Sequence, residues 1–203
     1  LIPARNEVDY IGKSVISIID QKWPKNISVI VIDDGSTDGT FESIDGFSNV
    51  HVIRSQELPK KWTGKLWALH QGVEYVDENL SDTDFILFSD ADIEHAPRSI
   101  EQLICTAENE KADLVSLMVK LRCDSLWERL LIPPFIFFFQ KLYPFAWVNS
   151  QKNQIAAAAG GCVLVRKSLL KKIGGLSEIK GSIIDDCALA NKAKNFGPIW
   201  LGL

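Results

Sequence analysis

Two short apolar runs, VIVI at 29–32 and FILF at 85–88, each lead straight into aspartates, and segments of helical period separate them. Four consecutive apolar residues bounded by turn formers read as a strand buried on both faces. Such strands belong to parallel sheets covered by helices, so the chain is constrained to βαβ units. Carboxylates at the C-terminal ends of parallel strands lie in the crevice where open α/β sheets take ligands. Three acidic clusters occupy such positions: Asp33-Asp34 in VIDDGSTDGT, Asp90-Ala91-Asp92 in FILFSDADIEH, and Asp185-Asp186 in GSIIDDCALA.

Between them, apolar spacing predicts alternating elements. Val8, Ile11, Val15, Ile18 and Ile19 recur at helical intervals and stop before Trp23-Pro24. Strands are expected at 28–32, 50–53, 85–88, 114–119 and 161–165. Helices are expected at 40–44, 64–76, from Pro97 to about Asn109, from Ser168, and from the last acidic pair to Asn195. The expected architecture is α/β, a mostly parallel Rossmann-like central sheet flanked by helices. The segment 127–148 breaks the pattern, with Phe135, Phe137, Phe138, Phe139, Tyr143, Phe145 and Trp147 crowded together. That density reads either as core or as an amphipathic element facing a membrane or a lipid groove.

At 203 residues the chain suits one domain, 46% hydrophobic and 24% charged. A net charge of −4 argues against nucleic acid as a partner and implies that bound phosphate is bridged by a cation. Cys105, Cys123, Cys162 and Cys187 show no metal or redox spacing and read as reduced thiols of a cytosolic domain. The opening Leu1-Ile2-Pro3 and the closing apolar run at 200–203 read as strands cut short at both ends. No uninterrupted run reaches a membrane span, because Pro133-Pro134 divides the most apolar stretch.

Each cluster admits specific chemistry. Pro3-Ala4-Arg5-Asn6-Glu7 sits where the first strand gives way to a helix, with Asn6 able to cap that helix or to meet a base or ribose. In Asp33 to Thr40, Gly35 and Gly39 permit tight turns, Ser36 or Asp38 can cap the next helix, and a carboxylate can accept the imide N–H of uracil. A turn-and-cap device without ligand fits the same residues. Lys65 opens a helix against the dipole preference, which a bound anion would explain; a solvated lysine is the plain alternative. In an extended segment Asp90 and Asp92 point the same way and can share one Mg²⁺ or Mn²⁺. His95 could add a ligand, but a surface or core-edge histidine is the favoured reading. Asp185 and Asp186 are either helix-start charges or a general base tuned by its neighbour.

Taken in order, Pro-x-x-Asn-Glu, Asp-Asp-Gly-Ser-x-Asp, Gly-Lys-x-x-Ala-x-x-x-Gly (64–72), Asp-x-Asp, a Gly-Gly strand start and a final acidic pair resemble a family 2 glycosyltransferase of the GT-A type. WTGKLWALHQG, the 116–149 stretch and AAAAGGCVLVRK are similar to the hopanoid-biosynthesis-associated subgroup. The resemblance implies one catalytic domain, its nucleotide-binding half at 1–95 and its acceptor side at 96–203. It implies that Pro3, Arg5 and Glu7 line the nucleotide pocket, that Asp34 reads uracil supported by Asp33, and that Lys65 meets base or diphosphate. Asp90 would approach ribose and sugar, Asp92 would hold the metal, and Gly160 and Gly161 would leave room for donor and acceptor. Asp186 aligns with the base; the usual Glu-Asp pair is Asp185-Asp186 here.

The implied reaction is inverting transfer from a UDP-sugar to a hydroxyl acceptor, a hopanoid or other polyprenoid lipid, at the cytoplasmic face of a membrane. Full-length relatives often carry membrane helices. The Gln-x-x-Arg-Trp motif of processive synthases does not occur in these 203 residues. A sugar-phosphate nucleotidyltransferase, a non-catalytic nucleotide-sugar or lipid-binding module and a receiver-like domain are the competing readings.

Overall fold

The computed structural model describes residues 1–22, 27–47 and 49–203. The expected helix stop at Trp23-Pro24 lies outside the described residues. In chain order the elements are β1 (Ile2–Ala4), α1 (Ile11–Ile19), β2 (Val29–Asp33), α2 (Thr40–Ile44), β3 (Val50–Arg54), α3 (Gly64–Asn79), β4 (Phe85–Ser89), α4 (Ser99–Asn109), β5 (Leu114–Leu117), α5 (Leu126–Leu142), α6 (Phe145–Val148), β6 (Cys162–Arg166), α7 (Lys167–Lys172), α8 (Asp185–Lys194) and β7 (Ile199–Gly202). A 3₁₀ turn at Leu176–Ile179 precedes α8.

β1, β2 and β3 pair in parallel, with Ile2 opposite Val31 and Val29 opposite Val50. β6 pairs antiparallel with both β4 and β5, and β5 pairs in parallel with β7. Two bonds join these halves. The Leu1 nitrogen donates to Leu87 O at 2.7 Å, and Ser89 N–H donates to Leu1 O at 3.1 Å. That is the slanted pattern of a parallel ladder, so β1 lies beside β4 and the strands run 3-2-1-4-6-5-7. The sheet is mostly parallel, as expected, with β6 reversed.

Alternation sorts the core into layers. Ile30 and Ile32 face one side with Leu66, Leu69 and Val76 of α3 and Leu189 of α8. Val29 and Val31 face the other with Ile11, Val15 and Ile18 of α1. Every residue of β2 is buried, the burial expected of a strand covered on both faces. α3 approaches β2 closely because its inner face carries Ala68 and Gly72: a Cβ on Gly72 would sit 2.9 Å from Ile32 Cδ1.

Three expectations change. Pro97 does not begin α4; the chain turns at 96–99, with Ser99 N–H on Ala96 O, and the helix starts at Ser99. Asn6 does not cap α1; it takes a left-handed φ of 57° and its side chain accepts from Thr37 N–H at 2.9 Å. Pro133-Pro134 does not break the apolar segment, since α5 runs through both. The prolines remove two backbone bonds, but a capping box secures the start. Ser125 Oγ accepts from Glu128 N–H at 3.2 Å, and Glu128 Oε2 accepts from Ser125 N–H at 2.7 Å. The Ser-x-x-Glu spacing is the sequence signature of that start.

His95 is a core residue rather than a ligand. It is 8% exposed, its Nε2 pairs with Ser89 Oγ at 2.9 Å, and its N–H donates to Ser17 Oγ. Burial pushes its pKa down to about 4.

Replacing Gly72 by Val should overpack the α3–β2 contact and lower stability by about 1–3 kcal/mol, read as a denaturant midpoint shift. The folded-state pKa of His95 lies below its unfolded value, so its contribution is complete above pH ~6.5 and is lost as pH falls toward 4. A His95→Gln variant should therefore flatten the fall in melting temperature across that window, a difference on the order of 3 kcal/mol.

Candidate functional site

The site is assembled where β1, β2 and β4 end. Two loops meet first. Asp34 N–H donates to Ala4 O at 2.8 Å, Asn6 N–H to Ser36 Oγ at 3.0 Å, Glu7 N–H to Thr40 Oγ1 at 2.8 Å, and Val8 N–H to Asp38 Oδ2 at 3.1 Å. The loop after β1 is thus stitched to the loop after β2, with Gly35 and Gly39 at positive φ of 72° and 94°. Asp38 accepts from the Thr40 hydroxyl, which holds its carboxyl below the ordinary range. Asn6, Ser36 and Thr40 form this scaffold, a role their local sequence did not reveal.

Asp33 and Asp34 divide their labour. Asp33 is buried and accepts from Ser36 N–H at 3.2 Å, which shapes the turn. Asp34 turns outward, 3.3 Å from Arg5 Nη1. Its Oδ2 lies 3.1 Å from where a Cβ on Gly64 would stand, so glycine at the start of α3 leaves space for that carboxylate.

A cavity of about 500 Å³ opens here, within the size range of small-molecule sites. Pro3, Arg5, Glu7, Asp34 and Lys65 line one part, Asp90 and Asp92 another, and Gly64 and Ala68 of α3 contribute the floor. A narrow cleft of about 20 Å³ adjoins it, carrying Gly160, Asp185 and Asp186. Pro3, Lys65 and Asp90 border both spaces.

Lys65 is the electrostatic joint. Its Nζ lies 2.7 Å from Asp90 Oδ1 and 3.9 Å from Asp185 Oδ2. Burial opposes its charge, but Asp90 and Asp185 outweigh that and hold its pKa above the ordinary lysine value. Glu7 is raised by partial burial and then by repulsion from Asp92, Asp38 and Asp90. Asp186 is raised chiefly by burial, with Asp185 adding to it; a 2.7 Å bond from Cys187 N–H and the charge of Lys65 pull the other way. A carboxylate moved toward neutral pH by desolvation, at the head of a helix, is suited to accept a proton.

The i, i+2 argument for Asp90 and Asp92 does not describe the backbone. β4 ends at Ser89, and the chain turns with Ile93 N–H on Asp90 O at 3.3 Å. Both aspartates nevertheless line the same cavity. Among the described residues no group of three or more His, Cys, Asp or Glu is arranged to hold a metal. Two hard carboxylates in a cavity with a clustered negative charge fit a Mg²⁺ or Mn²⁺ that completes its shell with substrate phosphate.

The two glycines separate. A Cβ on Gly160 would lie 3.2 Å from Asp186 Oδ2 and 3.5 Å from Lys65 Nζ, so its bareness keeps the cleft open. Gly161 instead faces Val119 and Ile93, where a Cβ would stand 3.2 Å from both Val119 methyls, and it lines neither space. The missing Cβ at Gly161 makes room for that packing.

Known proteins are similar to this chain in sequence and in fold. Over 93 residues the chain is 40% identical to the 4,4'-diaponeurosporenoate glycosyltransferase of Staphylococcus aureus, covering 46% of this chain and 23% of that protein. It is 29% identical over 120 residues to an uncharacterized protein of Methanocaldococcus jannaschii, covering 57% and 48%. The chain therefore spans about half or less of these curated relatives.

Among solved structures, S. aureus TarS 1–349 in complex with UDP-GlcNAc superposes with a TM-score of 0.65 at 20% identity, covering 98% of this chain and 54% of that one. Glucosyl-3-phosphoglycerate synthase from Mycobacterium tuberculosis with Mn²⁺, UDP-glucose and phosphoglyceric acid gives 0.58 at 22%, covering 99% and 67%. At such identities the likeness is one of fold, the GT-A arrangement. The family model for "Glycosyl transferase family 2" matches residues 1–174, and the chain belongs to that family.

Proposed function

We propose that this domain transfers a sugar from a UDP-sugar to a hydroxyl of a polyprenoid lipid, with inversion, at the cytoplasmic face of a membrane. The observation that carries the reading is the position of Asp186: a burial-shifted carboxylate in a cleft that shares Lys65 and Asp90 with the larger donor-sized cavity. Family membership supports a glycosyltransferase. The UDP-sugar complexes among the structural neighbours support the donor class, and similarity to the 4,4'-diaponeurosporenoate glycosyltransferase of S. aureus supports a lipid acceptor. Hopanoids are one such acceptor class, proposed on sequence wording alone.

In this reading residues 1–95 hold the nucleotide and 96–203 the acceptor. Asp34, braced by the turn that Asp33 closes, accepts the imide N–H of uracil, and Arg5 orients that carboxylate. Pro3 and Glu7 wall the pocket. Asp90, paired with Lys65, faces ribose and sugar. Asp92, with Asp90, would hold Mg²⁺ or Mn²⁺, which when bound neutralises the departing diphosphate. Lys65 adds a fixed positive charge at the mouth of the cleft. Asp186 takes the proton of the attacking hydroxyl, and Asp185 sustains its basicity by like-charge repulsion while helping hold Lys65. Attack and departure occur on opposite faces of the anomeric carbon, so no enzyme nucleophile is needed.

Asp186→Asn should reduce transfer by at least about 10³-fold while UDP affinity stays within about twofold, measured by turnover and calorimetry; lost UDP binding would count against the base role. Asp92→Ala should abolish the Mn²⁺ dependence of UDP binding. If UDP binds the wild-type domain equally well with and without metal, the cation assignment is wrong.

A further inference from the structure

We propose that α5, together with Ile183 and Ile184, is a docking face on which the domain lies flat against an anionic lipid bilayer. It rests on the lipid-acceptor reading for its purpose alone. None of the seventeen residues of α5 is buried. Trp127, Leu131, Phe135, Phe138 and Leu142 are spaced 4, 4, 3 and 4 residues apart on one stripe. Their exposures run from 57% to 67%. A helix with so much apolar surface in water has an unmet partner.

Charge identifies that partner. Residues 118–153 hold five basic side chains, Lys120, Arg122, Arg129, Lys141 and Lys152, against two acidic ones, a net +3 in a chain of net −4. The remainder of the molecule therefore carries −7. A basic, aromatic-rich strip on an acidic protein complements an anionic membrane surface and would direct the acidic bulk away from it. A second copy of this chain offers no such complement, since the strip would meet its own positive charge.

Length and composition would also let 126–148 span a bilayer, at mean hydropathy 1.2. The anchors oppose that. Before α5, the Arg122 guanidinium sits 5.2 Å over the Tyr10 ring; after it, Asn149 exchanges two hydrogen bonds with the Leu201 backbone at 3.1 and 2.8 Å. Both ends are held on one body, so the helix lies along the interface rather than across it.

The stripe also leads to the site. Phe139 and Tyr143, at the C-terminal end of α5, pack on the same core cluster as Cys187, the residue after Asp186. Ile183 and Ile184 stand 94% and 61% exposed immediately before Asp185. Apolar surface therefore flanks the base from two elements, and an acceptor lipid would need to rise only a short way from the bilayer.

The test is co-sedimentation of the 203-residue chain with phosphatidylcholine vesicles, with and without phosphatidylglycerol. UDP titration checks the fold of each protein. The chain should pellet with the anionic vesicles, weaken in high salt, and leave the vesicles in alkaline carbonate. The variant Leu131→Glu/Phe138→Glu, altered at exposed positions only, should bind at least about tenfold more weakly and keep its UDP affinity. Equal binding by the variant, or no wild-type binding by a chain that still takes UDP, would overturn the docking face and leave the transferase reading standing. Retention in carbonate would overturn the flat orientation. A dimer in velocity sedimentation, dispersed by the same variant, would assign the face to a second copy. Vesicle binding without sugar transfer would leave the docking face intact and count against the transferase reading instead.

Discussion

Parallel pairing of β1 between β2 and β4 is the constraint from which the site follows. Parallel strands point their C-terminal ends to one edge, so Arg5, Asp34 and Asp90 emerge together although they lie far apart in the chain. The pairing in turn requires helical crossovers, and these bury β2 completely. The small face of α3, Ala68 and Gly72, lets that crossover lie close on the sheet and brings Lys65 to the same edge. Reversal of β6 then returns the chain so that Gly160 and α8 close the far side.

The resulting cavity is a balance of charge. Glu7, Asp34, Asp90 and Asp92 line it, Asp185 and Asp186 line the adjoining cleft, and the cations Arg5 and Lys65 are set among them. The carboxylates respond differently because their surroundings differ: Glu7 and Asp186 are pushed up, first by desolvation and then by neighbouring carboxylates. An excess of fixed negative charge is tolerable in a site that works with a phosphate-bridging cation, and would be costly in one that bound bare phosphate.

Helix rules alone would not have predicted α5. Two consecutive prolines and a helix with no fully buried residue both argue against an isolated helix. The Ser125–Glu128 capping box and the anchors at either end supply what propensity lacks. The sequence left core and lipid face as open alternatives for 127–148; the structure divides the segment, with the outer stripe of α5 exposed and Phe139, Tyr143, Phe145 and Val148 on the core.

Strand and helix positions, the α/β class and the three acidic clusters were legible in the chain because periodicity and turn chemistry are local. The role of Lys65 was only partly legible: its place at a helix start is local, whereas its pairing with Asp90 and Asp185 depends on packing α3 against two remote segments. The scaffold role of Asn6 was hidden for the same reason, since its partner Thr37 lies 31 residues along the chain; the buried setting of His95 likewise depends on Ser17, 78 residues away. Sequence by itself determined most of the strands and crossover helices and where the acidic clusters fall along the chain. Tertiary structure decided which carboxylates are buried, which are paired and which share a cavity, because desolvation and Coulomb energy depend on distance in space and not on separation along the chain.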